Sequence, residues 1–304
     1  MAEKYFNENE EMNAMEKAAQ KHSVNAGLIL FIIGFIMTLV GGLYCYNTDL
    51  HKYFKTMDYS SSYDASKAEN ISIELGSGDL NIIKTTDKQI KIDAKNVPED
   101  FKAEMVGDTF TVKSTKVKSF WLAVPYLTSQ NSRVDIYVPE KEYNKLFINS
   151  GAGDIRTADM KFKDVELKKG AGDYDIAKIN CDTLKLTTGA GDNKFTDINC
   201  GSFSIEAGAG DLTIETLNCK GVMDIESGAG DLEISNAVTG GFKLDKGAGD
   251  ATFNGTVNGD IKIDSGAGDL EINLTNPETD FGKKGKYTMT IDKGVGDKEV
   301  TYNN

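Results

Sequence analysis

Seven aspartates recur in one context. Asp154, Asp173, Asp192, Asp211, Asp231, Asp250 and Asp269 each close a Gly-Ala-Gly-Asp tetrapeptide, at spacings of 19, 19, 19, 20, 19 and 19 residues. Variants flank the series, GSGD ending at Asp79 and GVGD ending at Asp297. A regular file of carboxylates admits three chemistries. Acids ~5 Å apart match the pair of a retaining glycosidase, but that catalysis needs two acids in different environments within a cleft. Equivalent positions on a repeat offer no such difference, so no catalytic residue is assigned. Glycine-rich aspartate repeats also hold Ca²⁺ in other coiled proteins, which makes these seven calcium candidates. The third role is local. Each carboxylate accepts backbone N–H bonds in its own turn, as Asx residues do. That role is the expectation adopted, with Asp211 bonded inside the loop of residues 208–211, and no cofactor is assigned.

The other reactive residues are few. The only histidines, His22 and His51, stand near the N-terminus, which removes most imidazole catalysis and most zinc sites from the bulk of the chain. Cys181, Cys200 and Cys219 each fall eight residues after a repeat aspartate, with Phe162 at the equivalent place one unit earlier. This spacing predicts a column of small buried side chains. Neighbouring thiols could pair by distance, but three cannot all pair within one chain. No CxxC metal motif is present, and GAGD lacks the Lys-Ser/Thr that follows a phosphate loop. Phe120, Trp121 and Tyr126 form an aromatic stretch suited to covering the solenoid or touching a sugar or partner.

The residues around each motif define the elements that carry it. Eight and six positions before each aspartate the chain is apolar, as at Val165/Leu167, Leu184/Leu186, Phe203/Ile205 and Phe242/Leu244. Positions one and three after it are mostly apolar too, as at Leu212/Ile214 and Leu270/Ile272. Period-two alternation means two short strands per unit, each with one buried face. The paired glycines between them permit positive φ or close backbone approach. A 19-residue unit cannot bury its own face. Stacking units at ~4.8 Å buries all of them and aligns equivalent residues in ladders. The constant period favours coils over an antiparallel sandwich of hairpins, because hairpins need no fixed length. The fold expected is all-β, a parallel β-solenoid, with Ile205, Ile225 and Leu244 in one inward column.

The ends are less regular. Residues 69–140 read as degenerate rungs, Ile90/Ile92 following Ile71/Ile73 by one unit and Phe110/Val112 coming later, with a loop over 120–132. Residues 141–275 hold the regular repeats, and 276–304, opening with NPETDFGKKGKY, read as a C-terminal cap. Ahead of the domain, AGLILFIIGFIMTLVGGLYCY at 26–46 carries no charge and is long enough to cross ~30 Å of hydrocarbon. It predicts one uncleaved transmembrane signal anchor over 25–46, after a cytoplasmic tail at 1–24 and before a stalk at 47–68. The large C-terminal part is expected outside the cytoplasm, since long domains translocate largely regardless of flanking charge.

Composition agrees with a folded repeat domain. Apolar residues make up 39% and charged residues 27%, so a packed core is affordable and global disorder is not implied. Lys plus Arg total 34 against 47 Asp plus Glu, a net charge of -13 that repels phosphate backbones and excludes nucleic acid as a partner class.

Together, the membrane anchor, the stalk, the VDIYVP strand and the serial Φ-x-Φ-x-x-GAGD-Φ-x-Φ units resemble the DUF4097 family of putative-adhesin β-strand repeat proteins, over about residues 69–302. Such proteins are common in Gram-positive bacteria, and the resemblance implies a cell-envelope location, in a family with no established chemistry. The function expected is non-enzymatic. A membrane-anchored β-repeat domain would present an extracytoplasmic surface to envelope proteins or glycans, for adhesion or envelope sensing. A calcium-stabilised structural module and a carbohydrate-active β-helix enzyme are the alternatives.

Overall fold

The computed structural model describes residues 56–114, 132–281 and 284–303. The expected tail at 1–24, the span at 25–46, His22, Cys45, His51 and the aromatic residues Phe120, Trp121 and Tyr126 lie outside the described residues. Within them the chain is almost entirely strand, with two single-turn 3-10 helices at Ala65–Lys67 and Glu278–Asp280.

The N-terminal strands are β1 (Thr56–Asp64), β2 (Asn70–Leu75), β3 (Asp79–Thr85), β4 (Gln89–Pro98), β5 (Lys102–Val106), β6 (Thr109–Lys113) and β7 (Arg133–Pro139). The regular part follows as β8 (Glu142–Ala152), β9 (Ile155–Thr157), β10 (Met160–Ala171), β11 (Tyr174–Ala190), β12 (Asn193–Ala209), β13 (Leu212–Ile214) and β14 (Leu217–Ala229). It continues as β15 (Leu232–Ala248), β16 (Ala251–Val257), β17 (Ile261–Ala267) and β18 (Leu270–Leu274), and ends with β19 (Met289–Val295) and β20 (Lys298–Tyr302). From β8 on, every rung lies parallel to the next in matching register, so the parallel β-solenoid expected from the repeat is the fold.

Alternation becomes columns. Val165, Leu184, Phe203, Met223, Phe242 and Ile261 pair in succession, and so do Leu167, Leu186, Ile205, Ile225, Leu244 and Ile263. All twelve are at most 2% exposed. At ~25 cal/mol per Å² of apolar surface, such columns supply the main favourable term for a unit that has no core of its own. The predicted column of Ile205, Ile225 and Leu244 is therefore present. The one 20-residue spacing is absorbed locally. An extra residue bulges out between Cys219 and Met223, leaving Val222 exposed while both flanks keep register.

The N-terminal part departs from the expectation of serial degenerate rungs over 69–140. The rung of β2 and β3 stacks directly on that of β8 and β9, pairing Ile71 with Leu146 and Leu80 with Ile155. On its other side lies a rung made of β6 and β7, pairing Ile71 with Phe110 and Leu80 with Val134. Stack order thus differs from chain order. Ile90 and Ile92 belong to no rung, because β4 runs antiparallel between β7 and β1, and β5 runs antiparallel beside β6. Alternation reports which face is buried and is silent on strand direction, so Ile90/Ile92 carried no sign of this reversal. The stretch expected as a stalk is strand from Thr56. Tyr59 and Tyr63 of β1 reach across to the carbonyl of Ala103, and their rings pack on Phe101 and Phe110.

At the C-terminal end, β19 pairs with β17 and β20 with β18, in parallel register. The residues expected as a cap therefore include a further rung. Phe281, from the segment before it, packs against Tyr287 and Tyr302, with ring centroids 5.9 and 6.4 Å apart.

Candidate functional site

The Gly-x-Gly-Asp corner is the feature repeated by every rung from that of β2 and β3 to that of β19 and β20. Its first glycine is required by stacking. A Cβ on Gly208 would fall inside contact distance of the Gly189 carbonyl oxygen, which belongs to the corner one rung below. Its second glycine is required twice over. Gly210 has φ +114°, and a Cβ there would strike the Gly191 oxygen. The alanine between them points outward and is exposed at Ala190, Ala209, Ala229 and Ala248.

The aspartates stand on this corner as a hydrogen-bonded file. The backbone N–H of Asp231 donates to Asp211 Oδ1 at 2.8 Å, and that of Asp211 donates to Asp192 Oδ1 at 3.0 Å. The same bond recurs from Asp79 to Asp297 with no rung omitted. Each carboxylate therefore serves the next rung and not its own turn, which corrects the expected loop of 208–211. The reason is that the corner's other donors are already engaged. The Gly210 N–H donates to the Ala229 carbonyl and the Leu212 N–H to the Asp231 carbonyl, both one rung on. Carboxylates stacked ~4.8 Å apart repel by about 1 kcal/mol per neighbouring pair even in water. The charge-assisted N–H bonds oppose that repulsion.

Beneath the file lie cations whose burial costs more than the attraction of the aspartates returns. Four residues before each aspartate, the side chain turns inward, and in three rungs it is a lysine: Lys169, Lys246 and, half-buried in the last rung, Lys293. Lys169 is 4% and Lys246 2% exposed. Lys246 Nζ donates to the carbonyl oxygens of Gly230 and Ala248. Lys169 Nζ has no hydrogen-bond acceptor and sits 3.8 Å from the centroid of the Tyr174 ring. Burial pulls the Lys169 amine down to about 8, against the opposing pull of Asp173 and Asp154. Burial also lowers Lys246, against Asp231, Asp250 and Asp211. The exposed anionic file and the buried ammonium groups are thus one electrostatic unit. Residue type alone marks these lysines as exposed, but Lys169 lies an even number of residues from Val165 and Leu167 and so shares their inward face.

Each corner offers few free oxygens to calcium. Ca²⁺ takes six to eight oxygens, whereas each Oδ1 with a rung above it is spent on a backbone N–H, and among the described residues no three acids, histidines or cysteines converge. A glycosidase needs an acid pair in unlike surroundings within a cleft, whereas Asp173, Asp192, Asp211, Asp231, Asp250 and Asp269 are all exposed on the outer face. With Asp154, which also pairs with Arg156, they are brought into one line, each linked to its neighbours through a backbone N–H.

The cysteines form the column their spacing predicts. Cys181 pairs in register with Cys200, and Cys200 with Cys219, with Thr239 next. All three are free thiols. The Cys219 sulfur lies 3.5 Å from the Gly221 carbonyl oxygen. Burial pushes the Cys181 thiol up to about 12, and the contact with Cys219 together with burial raises Cys200, so neither is a poised nucleophile. Elsewhere the outward faces carry ion pairs that run from rung to rung, including Lys178–Asp197, Lys194–Glu215 and Lys243–Asp224.

Comparison with known proteins agrees with this geometry. The family model described as Toastrack DUF4097 matches residues 68–301. No curated protein matches the sequence. Among solved structures, the chain is similar to a protein from Parabacteroides distasonis described as a putative lipid binding protein. The TM-score is 0.51 at 11% identity, over 82% of this chain and 98% of that one. It is also similar to a protein from Bacteroides fragilis described as a putative adhesin, with a TM-score of 0.47 at 14% identity, over 80% and 97% of the two chains.

Proposed function

The chain belongs to the Toastrack DUF4097 family, and from that premise we propose that it is a non-enzymatic scaffold of the cell envelope. One membrane helix at 25–46 anchors it, and the solenoid presents an extended extracytoplasmic surface to envelope proteins or glycans, for adhesion or sensing. The observation that supports this most is where the polar groups go. The repeated carboxylates hold the next rung's backbone, and surface lysines pair with carboxylates one rung away. Function on such a body rests on its length and its ladders, not on a cleft that gathers catalytic groups. Regular ladders at strand spacing suit partners with a repeated chemistry of their own.

Intact cells carrying the full chain test the proposal when treated with a membrane-impermeant amine reagent. Labelling of solenoid lysines such as Lys185 and Lys262 without lysis, together with loss of surface attachment when residues 56–304 are deleted, is the expected result. Labelling only after lysis would refute the extracytoplasmic placement. Unchanged attachment after the deletion would refute the adhesive role.

A further inference from the structure

The two ends of the stack are unlike. At the N-terminal end the parallel order stops, and antiparallel β1, β4 and β5 with the rings of Tyr59, Tyr63 and Phe101 lie over it. At the C-terminal end the parallel rungs simply cease. Strand β20 pairs with β18 on one side, and no described strand pairs with its other side. The inward row of the last rung, Met289, Ile291, Val300 and Tyr302, is only half-buried, although Ile261, Ile263, Ile272 and Leu274 one rung below are at most 3% exposed. An open parallel edge over an incompletely covered apolar row is a template for another strand.

We propose that this end docks a second copy of the same end, through antiparallel pairing of β20 with its two-fold mate about Val300. Three observations select that occupant. First, the backbone is poised for it. The Asp297 carbonyl accepts from Leu270 and the Asn303 N–H donates to Leu274, so alternate residues 297, 299, 301 and 303 face β18. Val300 therefore turns its N–H and C=O to the free edge, as the central residue of a hydrogen-bonded antiparallel pair must. Second, the strand Lys298-Glu299-Val300-Thr301-Tyr302 is self-complementary about Val300. Lys298 meets Tyr302, Glu299 meets Thr301, Val300 meets itself, and no like charges are opposed. Pairing about the centre of β19 would instead set Asp292 against Asp292. Third, inward residues stay inward across this two-fold axis, so the sheet and the apolar row both continue into the partner. A like-to-like contact closes as a dimer, whereas a head-to-tail contact would build an open filament.

Sedimentation of the full chain in detergent, over a concentration series, tests this. The wild-type chain is expected to be a dimer that dissociates on dilution. Val300→Pro removes an N–H that faces the free edge and no bond to β18, and it should weaken the dimer by roughly tenfold or more. Thr301→Glu, which sets Glu against Glu299 of the partner subunit, should do likewise. Adding Glu299→Lys to Thr301→Glu should restore the dimer, a rescue that a merely misfolded strand would not show. A monomeric wild-type chain throughout the series would overturn the proposal. So would a dimer untouched by Val300→Pro and Thr301→Glu, or a failure of the double variant to recover.

Discussion

Lys169→Met should stabilise the protein at neutral pH, and the gain should vanish in alkali. The Lys169 amine is pulled down to about 8 by burial, from an ordinary value of 10.5. At about 1.36 kcal/mol per unit, the full shift corresponds to an upper bound of ~3 kcal/mol. Two effects reduce it. Residual solvent screening weakens any such figure, and the ammonium over the Tyr174 ring gains about 0.5–2 kcal/mol that methionine loses in part. A net gain of about 1–2 kcal/mol is expected at pH 7. The sign follows from proton binding. Between pH 8 and 10.5 the folded lysine holds fewer protons than the unfolded one, so folding becomes more favourable as pH rises. Below pH 8 the penalty is fully present, and above 10.5 it is gone. Thermal or urea unfolding of both proteins from pH 7 to 10.5 measures it. Wild-type stability should climb towards that of the variant across this window. Parallel curves, or a variant less stable than wild type at pH 7, would refute the account of Lys169 as a buried, poorly compensated charge.

Other outcomes follow from the same geometry. Ile214 is fully buried, so Ile214→Asp should cost more than ~3 kcal/mol in urea unfolding, while Thr213→Asp on the outward face should cost less than ~1 kcal/mol. Gly210→Ala meets both a positive φ and the Gly191 oxygen and should cost ~3 kcal/mol or more by the same measurement, whereas Ala209→Ser beside it should be neutral. Cys200 and Cys219, at 2% and 1% exposed, should be shielded from thiol reagents in the folded protein at pH 7 and react fully once it is unfolded, as counted by mass spectrometry.

The regular solenoid was legible because one constraint repeats. Phe203/Ile205 and Leu212/Ile214 set the inward faces, and the glycines of 208–211 set the corner between them. What the sequence concealed has a physical cause in each instance. Strand direction at Ile90/Ile92 has no signature in alternation, since a strand buries the same face whichever way it runs. The stacking of Ile71 on both Phe110 and Leu146 depends on which rung end is free, a long-range property that no local window contains. Lysine is almost never fully buried unless paired, so residue type marks Lys169 and Lys246 as exposed, although their position in the repeat places them inside. Asp211 was identified as a backbone acceptor, but its donor comes from Asp231, twenty residues away, and only stacking could reveal that.

The central claim is that each repeat aspartate fastens the next rung and carries no metal. Its most direct test is the melting of full-length wild type, Asp211→Asn and Asp211→Ala, each with calcium and with chelator. Asparagine keeps an oxygen for the Asp231 N–H and removes one repelling charge, so Asp211→Asn should melt close to wild type. Alanine leaves that N–H without its acceptor and should cost roughly 1 kcal/mol. Calcium should shift none of the three. A calcium-dependent rise in melting temperature that Asp211→Asn abolishes would contradict the account and make the aspartate file a metal site.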